Sequence, residues 1–206
     1  MAFFRNSSTS YGAVAVTLHW LIAIAILYMI WLGIYMTDAE DYEAYQLHKS
    51  LGITILALSL LRLIWRFVNP PPPLPAGMKG WERFGARATH WAFYFLMIFI
   101  PLSGWALAST SAFETKIWGA FDLPRLPGLA GLDADAREAA GERIEGIHET
   151  LAMWPIFILL ALHVGGEQRA HVGVAGEQGV VEVLADLGLA VDEALQVLEQ
   201  AAAVVV

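Results

Sequence analysis

Uncharged positions along the chain gather into runs too long for an ordinary soluble fold. Residues 12 to 36 (GAVAVTLHWLIAIAILYMIWLGIYM) carry no charge, and about 20 apolar helical residues suffice to cross a hydrocarbon core. A first membrane span is predicted there, followed by an acidic loop, DAEDYEAY. The second span is predicted over about Tyr45 to Val68. Only Ser50 to Leu61 is uncharged, but Arg62 and Arg66 lie four apart on one helical face, where long side chains can reach the interface. NPPPPLPAGMKG then ends the helix, because proline lacks an amide donor and clashes with the preceding turn. A third span is predicted over about Ala86 to Ser109, with Pro101 where a membrane helix can kink. Thr110 to Gly131 reads as a long loop. A polar helical lead-in, opening on Asp133 as N-cap, feeds the fourth span, IHETLAMWPIFILLALHV, residues 147 to 164.

Composition agrees with a membrane protein. Hydrophobic residues make up 57% of the 206 and charged residues 16%, against about 25% charged in a typical soluble domain. The net charge of -8 argues against nucleic acid, which needs clustered Lys and Arg to neutralise phosphates. The chain has no cysteine, which excludes disulfides, thiolate-ligated metals, iron–sulfur clusters and cysteine nucleophiles. The N-terminal MAFFRNSSTSYGAVAV lacks an evident small-residue cleavage site, so it reads as the start of a retained span.

Lys and Arg near the span ends set the expected orientation. The connector between the second and third spans carries Lys79, Arg83 and Arg87, just after Arg62 and Arg66, whereas the first loop sets Asp38, Glu40, Asp41 and Glu43 against Lys49. By the positive-inside rule the connector is cytoplasmic. The expected fold is an all-α membrane protein, a four-helix transmembrane bundle of up-and-down topology with both termini cytoplasmic. Residues 1–166 form the four-span domain and 167–206 an acidic tail. In the tail, Arg169 stands alone against seven carboxylates, and Leu184, Leu187, Val191, Leu195 and Leu198 have the spacing of an amphipathic surface helix.

Four histidines fall at two depths under this topology. His19 and His163 lie near the inner ends of the first and fourth spans, His48 and His148 near the outer ends of the second and fourth. Each membrane face thus receives one pair. Ionisable residues inside a membrane are by default functional candidates, because they lose hydration and need partners. Paired imidazoles suit bis-histidine ligation of haem iron, which leaves no open coordination position and favours electron transfer. Zinc is the alternative, completed by further His or carboxylate ligands. Gly52, one turn beyond His48, and Gly33, near the outer pair's depth, would let a backbone approach a flat macrocycle or simply pack helices closely. Arg62 and Arg66 stand at the inner depth as partners for haem propionates or as inside anchors. His90, near the inner end of the third span, suits a quinone contact, a proton relay or a hydrated interfacial role; His171 lies in the tail.

The segments VTLHWLIAIAI, YQLHKSLGITILALSLLRLIWRFVNPPP, ATHWAFYFLMIFIPLSGW and IHETLAMWPIFILLALHV together resemble the prokaryotic cytochrome b561 family, over about Tyr11 to Val164. The resemblance implies a four-helix protein of the bacterial inner membrane holding two haem b groups. It implies His48 and His148 as ligands of the haem nearer the periplasm, and His19 and His163 as ligands of the one nearer the cytoplasm. It also implies exchange of electrons with ubiquinone, in some members with superoxide as donor at the outer face. Other members resemble cytochrome subunits serving a partner dehydrogenase or hydrogenase. Family members usually end on a short basic segment, so the acidic tail is a departure. A superoxide:ubiquinone oxidoreductase, an electron relay for a donor protein, and a haem-free zinc-binding or structural membrane protein are the three classes to be separated.

Overall fold

The computed structural model describes residues 3–74 and 77–175, with side chains as far as residue 165. Four long helices dominate: α1 (Ala13–Ala39), α2 (Tyr42–Val68), α3 (Gly80–Thr110) and α5 (Ala134–Ala175). Between α3 and α5 lie a two-stranded antiparallel hairpin, β1 (Lys116–Ile117) and β2 (Phe121–Asp122), and a single helical turn, α4 (Pro127–Ala130). All four long helices contain stretches long and apolar enough to cross a membrane. The chain divides into two units, residues 1–160 and 161–206. The leucine pattern read in the tail, residues 184 to 198, lies outside the described residues.

Within the first unit the helices run up and down. The acidic stretch after α1 is no loop of eight residues: only Glu40 and Asp41 separate α1 from α2. Glu40 takes the left-handed conformation (φ 48°), and the Asp41 side chain caps α2 by accepting from the amides of Glu43 and Ala44, which satisfies donors that a helix start leaves open. At the other end Asn6 donates to the carbonyls of Asn69 and Pro70, while its own side-chain oxygen accepts from the Gly12 amide. The start of α1 is thereby clipped to the end of α2. Gly12 is required at this clip, because a Cβ there would lie 2.5 Å from the Arg5 carbonyl carbon.

α3 begins six residues earlier than the hydrophobic pattern predicts, because the Glu82 carboxylate accepts from the Lys79 amide at 2.7 Å and closes the helix start. Pro101 sits inside α3 without ending it. α5 absorbs the polar lead-in, with Asp133 accepting from the Ala136 amide as the expected cap. The hairpin is a feature that the pattern misses. Its turn places Trp118 (φ 52°) and Gly119 (φ 67°) in the left-handed region, an uncommon conformation for a bulky residue. Two bonds to α2 hold it there: the Trp118 amide donates to Ser50 Oγ, and its indole Nε1 donates to Thr54 Oγ1.

The core is built from Leu18, Ile22 and Leu32 of α1, Ala44, Ile55 and Leu56 of α2, Tyr94, Leu96 and Ala108 of α3, and Ile156 of α5. Buried serines at 50, 59, 103 and 109 accompany them. Small polar residues let membrane helices approach closely, and Ser50 and Ser109 return their hydroxyls to carbonyls one turn back. The large apolar side chains of Trp20, Leu21, Ile24, Leu27 and Trp31 face outwards. In water such a surface would be an association liability; for a helix whose backbone is satisfied internally it is the surface that lipid covers.

Candidate functional site

At one end of the bundle, α1, α2, α3 and α5 bring two imidazoles together. His48 from α2 and His148 from α5 face each other with ring centroids 6.2 Å apart and planes at 74°. A glycine of a third helix opens the space beside each ring. A Cβ on Gly33 of α1 would lie 3.6 Å from His48 Cε1, and one on Gly104 of α3 would lie 3.1 Å from His148 Cε1. The first is ordinary contact and the second would press on the ring.

The two rings differ in what holds them. His148 Nδ1 lies 2.9 Å from Ser103 Oγ and 3.1 Å from the Ile100 carbonyl oxygen, both on α3. His48 Nδ1 is buried without a hydrogen-bond partner. A buried polar atom of this kind is uncommon and calls for a reason.

The geometry suits a metal held between two imidazoles. A metal–nitrogen bond of about 2.0–2.1 Å, plus roughly 1.1 Å from nitrogen to ring centre, taken on both sides, gives about 6.3 Å between centroids. Among the described residues, no three His, Asp or Glu side chains gather as a set that could hold a bare ion. A bare zinc site normally takes three or four protein ligands. A haem brings four nitrogens of its own and asks the protein for two, which is the donor set present.

The remaining residues singled out from the sequence are placed as follows. A Cβ on Gly52 would meet Met29 Cε of α1 at 3.8 Å, an ordinary contact, so the glycine lies at the α1–α2 interface without being required there. Arg62 donates from Nη1 to the carbonyl oxygen of Ala15, one turn before His19 on α1. Arg66 lies over the rings of Trp91 and Tyr94 of α3, 5.9 and 5.6 Å from their centroids. With Asn6, Tyr11, Trp65 and Asn69 the two arginines line a small cavity at this end of the helices. His19 packs against Trp20. His90 Nδ1 lies 2.6 Å from the Ala86 carbonyl of its own helix. His163 belongs to the second unit, on the continuation of α5. Ser103, Gly104 and the Ile100 carbonyl are site elements that the sequence reading misses; the Ser-Gly pair in a span was their only signal.

The family model described as prokaryotic cytochrome b561 matches residues 10–175. The chain belongs to that family. It is 33% identical to cytochrome b561 homolog 2 of Escherichia coli (strain K12) over 166 residues, covering 78% of this chain and 84% of that one. It is 27% identical to the probable superoxide oxidase CybB of Yersinia pestis over 101 residues, 47% of this chain and 57% of the relative. Membership makes the four-span helical architecture that of a bacterial multi-pass membrane protein, and its chemistry the haem b electron transfer of the b561 cytochromes.

Proposed function

We propose that this cytochrome carries electrons across the bacterial inner membrane through two bis-histidine haem b groups, and exchanges them with ubiquinone. The observation that carries the reading is the His48–His148 pair, whose separation suits two axial ligands of one iron. His19 and His163 are the proposed ligands of the second haem, a pairing that rests on their matched depths in the sequence. Both termini are taken as cytoplasmic, with Lys79, Arg83 and Arg87 on the inner side. Each bound haem would supply a one-electron iron couple with no vacant coordination position, which favours electron exchange through the ring edge over ligand binding at the metal.

The chain's own residues have three tasks here. His48 and His148 would each offer one lone pair to the metal, Gly104 leaves the His148 ring room, and the outward apolar side chains keep the bundle in lipid. Arg62 is proposed as a partner of an inner haem propionate: its guanidinium is anchored on the Ala15 carbonyl, one turn from His19. Arg62→Ala is expected to shift the midpoint potential of the inner haem and loosen its retention. An unchanged potential and retention would remove this role.

For the outer donor we take superoxide, after the Yersinia relative. Two superoxide ions would each give up one electron and leave as dioxygen, while one ubiquinone takes both electrons and two protons. The acidic turn between α1 and α2 offers an anion no steering. A reduced-minus-oxidised visible spectrum of the purified chain, with haem and protein quantified together, tests the core of the reading. Two low-spin b haems per chain are expected, and a haem-free chain would overturn it. Superoxide-driven haem reduction faster than spontaneous dismutation is expected next. Reduction that requires a partner dehydrogenase would instead make the chain a relay subunit.

A further inference from the structure

We propose that Ser103 is a positioning residue for the outer haem: with the Ile100 carbonyl it holds the Nδ1–H of His148, and so fixes which ring nitrogen is presented to the metal and tunes the iron's reduction potential. The inference rests on the haem reading above and adds to it a residue outside the ligand set.

Three distances carry the argument. Ser103 Oγ lies 2.7 Å from the Ile100 carbonyl oxygen, His148 Nδ1 lies 2.9 Å from Ser103 Oγ, and His148 Nδ1 lies 3.1 Å from the same carbonyl. A carbonyl oxygen can only accept, and a serine hydroxyl has one proton to give. Were that proton given to His148 Nδ1, the nitrogen would carry no hydrogen and would face the Ile100 oxygen lone pair to lone pair. The consistent arrangement has the hydroxyl donating to Ile100 and the Nδ1–H shared between the two oxygens. The other nitrogen, Nε2, then keeps its lone pair for a metal. Ligating histidines usually have the second nitrogen tied to an acceptor, which fixes ring orientation and raises ligand basicity.

The neighbouring residue completes the device. Ser103 is buried on α3, and Gly104 beside it has no Cβ to push against His148, where one would come to 3.1 Å. Ser103 thus holds the ring and Gly104 leaves room for it. His48 has no such acceptor. As ligands the two imidazoles would therefore be electronically unequal, with the stronger donor on the α5 side.

Electron donation through a hydrogen-bonded imidazole favours the ferric state, so losing the hydroxyl should raise the potential. Redox titration of the purified full-length chain in its wild-type, Ser103→Ala and Ser103→Thr forms reads this out, with the haem-to-protein ratio measured alongside. In Ser103→Ala one haem is expected to lose about three- to tenfold of its ferric-over-ferrous preference, an upward shift of roughly 30–60 mV at 59 mV per tenfold for one electron. Threonine keeps the hydroxyl and is expected to restore the wild-type value. Full haem with an unchanged potential in Ser103→Ala would overturn the proposal, as would a Thr variant that behaves like the Ala variant. Haem loss in Ala with retention at the wild-type potential in Thr would support it, and loss in both would reduce Ser103 to a packing residue. A wild-type chain without haem is a different result, which removes the parent reading.

Discussion

His148→Ala is expected to lower the haem content of the purified chain from two per polypeptide to one. The ring is one of the two imidazoles at 6.2 Å, and a bis-histidine site deprived of one ligand keeps a five-coordinate iron at best, with much weaker retention. His48 would remain, but its Nδ1 has no acceptor to steady it. Haem assay against protein concentration reads the ratio directly, and the residual spectrum should be that of a single low-spin b haem. His90→Ala is the control. His90 is tied to the Ala86 carbonyl of its own helix, so that variant should keep both haems. Two haems retained in His148→Ala would remove His148 from the ligand set and with it the outer site.

Gly104→Val should come close to the same loss without touching a ligand. Its first added atom would stand 3.1 Å from His148 Cε1, and the branches of valine extend beyond that. His148 would have to rotate away from Ser103 and from the iron. Outer-shell changes of this kind typically cost about 10–100-fold in metal affinity. The same logic predicts tolerance at the facing glycine. A Cβ on Gly33 meets His48 Cε1 at 3.6 Å, an ordinary contact, and alanine favours a helix over glycine by roughly 0.5–1 kcal/mol. Gly33→Ala should therefore keep the wild-type haem ratio. A Gly104→Val protein with a full complement of low-spin haem would show that the α3 cradle does not determine how His148 sits.

Much of the architecture was legible because lipid imposes a simple code. A spanning helix must be long and apolar, so 12–36 and 147–164 declared themselves, and histidines in such runs drew attention at once. The ends of elements were less legible. The charged residues of DAEDYEAY read as loop, yet Asp41 caps α2 and Glu40 makes the turn by adopting a left-handed backbone. GMKGWERF read as connector, yet Glu82 closes the α3 start. The hairpin was hidden because tryptophan is a poor advertisement for a left-handed turn; its bonds to Ser50 and Thr54, more than sixty residues away, help to hold it there. Ser103 and Gly104 were hidden for a related reason. A serine beside a glycine in a span looks like helix packing, and nothing local says that a histidine 45 residues later comes to rest on them.

The two-residue connection between α1 and α2 also says something about the order in which this protein is made. With only Glu40 and Asp41 between the helices, every residue that sets Gly33 beside His48 has been made once synthesis reaches residue 68. His148 is translated about 80 residues after that, on α5. One imidazole of the pair is therefore made well before the other. A group that needs both imidazoles can be captured only once α5 has been made, and its binding would tie α5 to the α1–α2 pair.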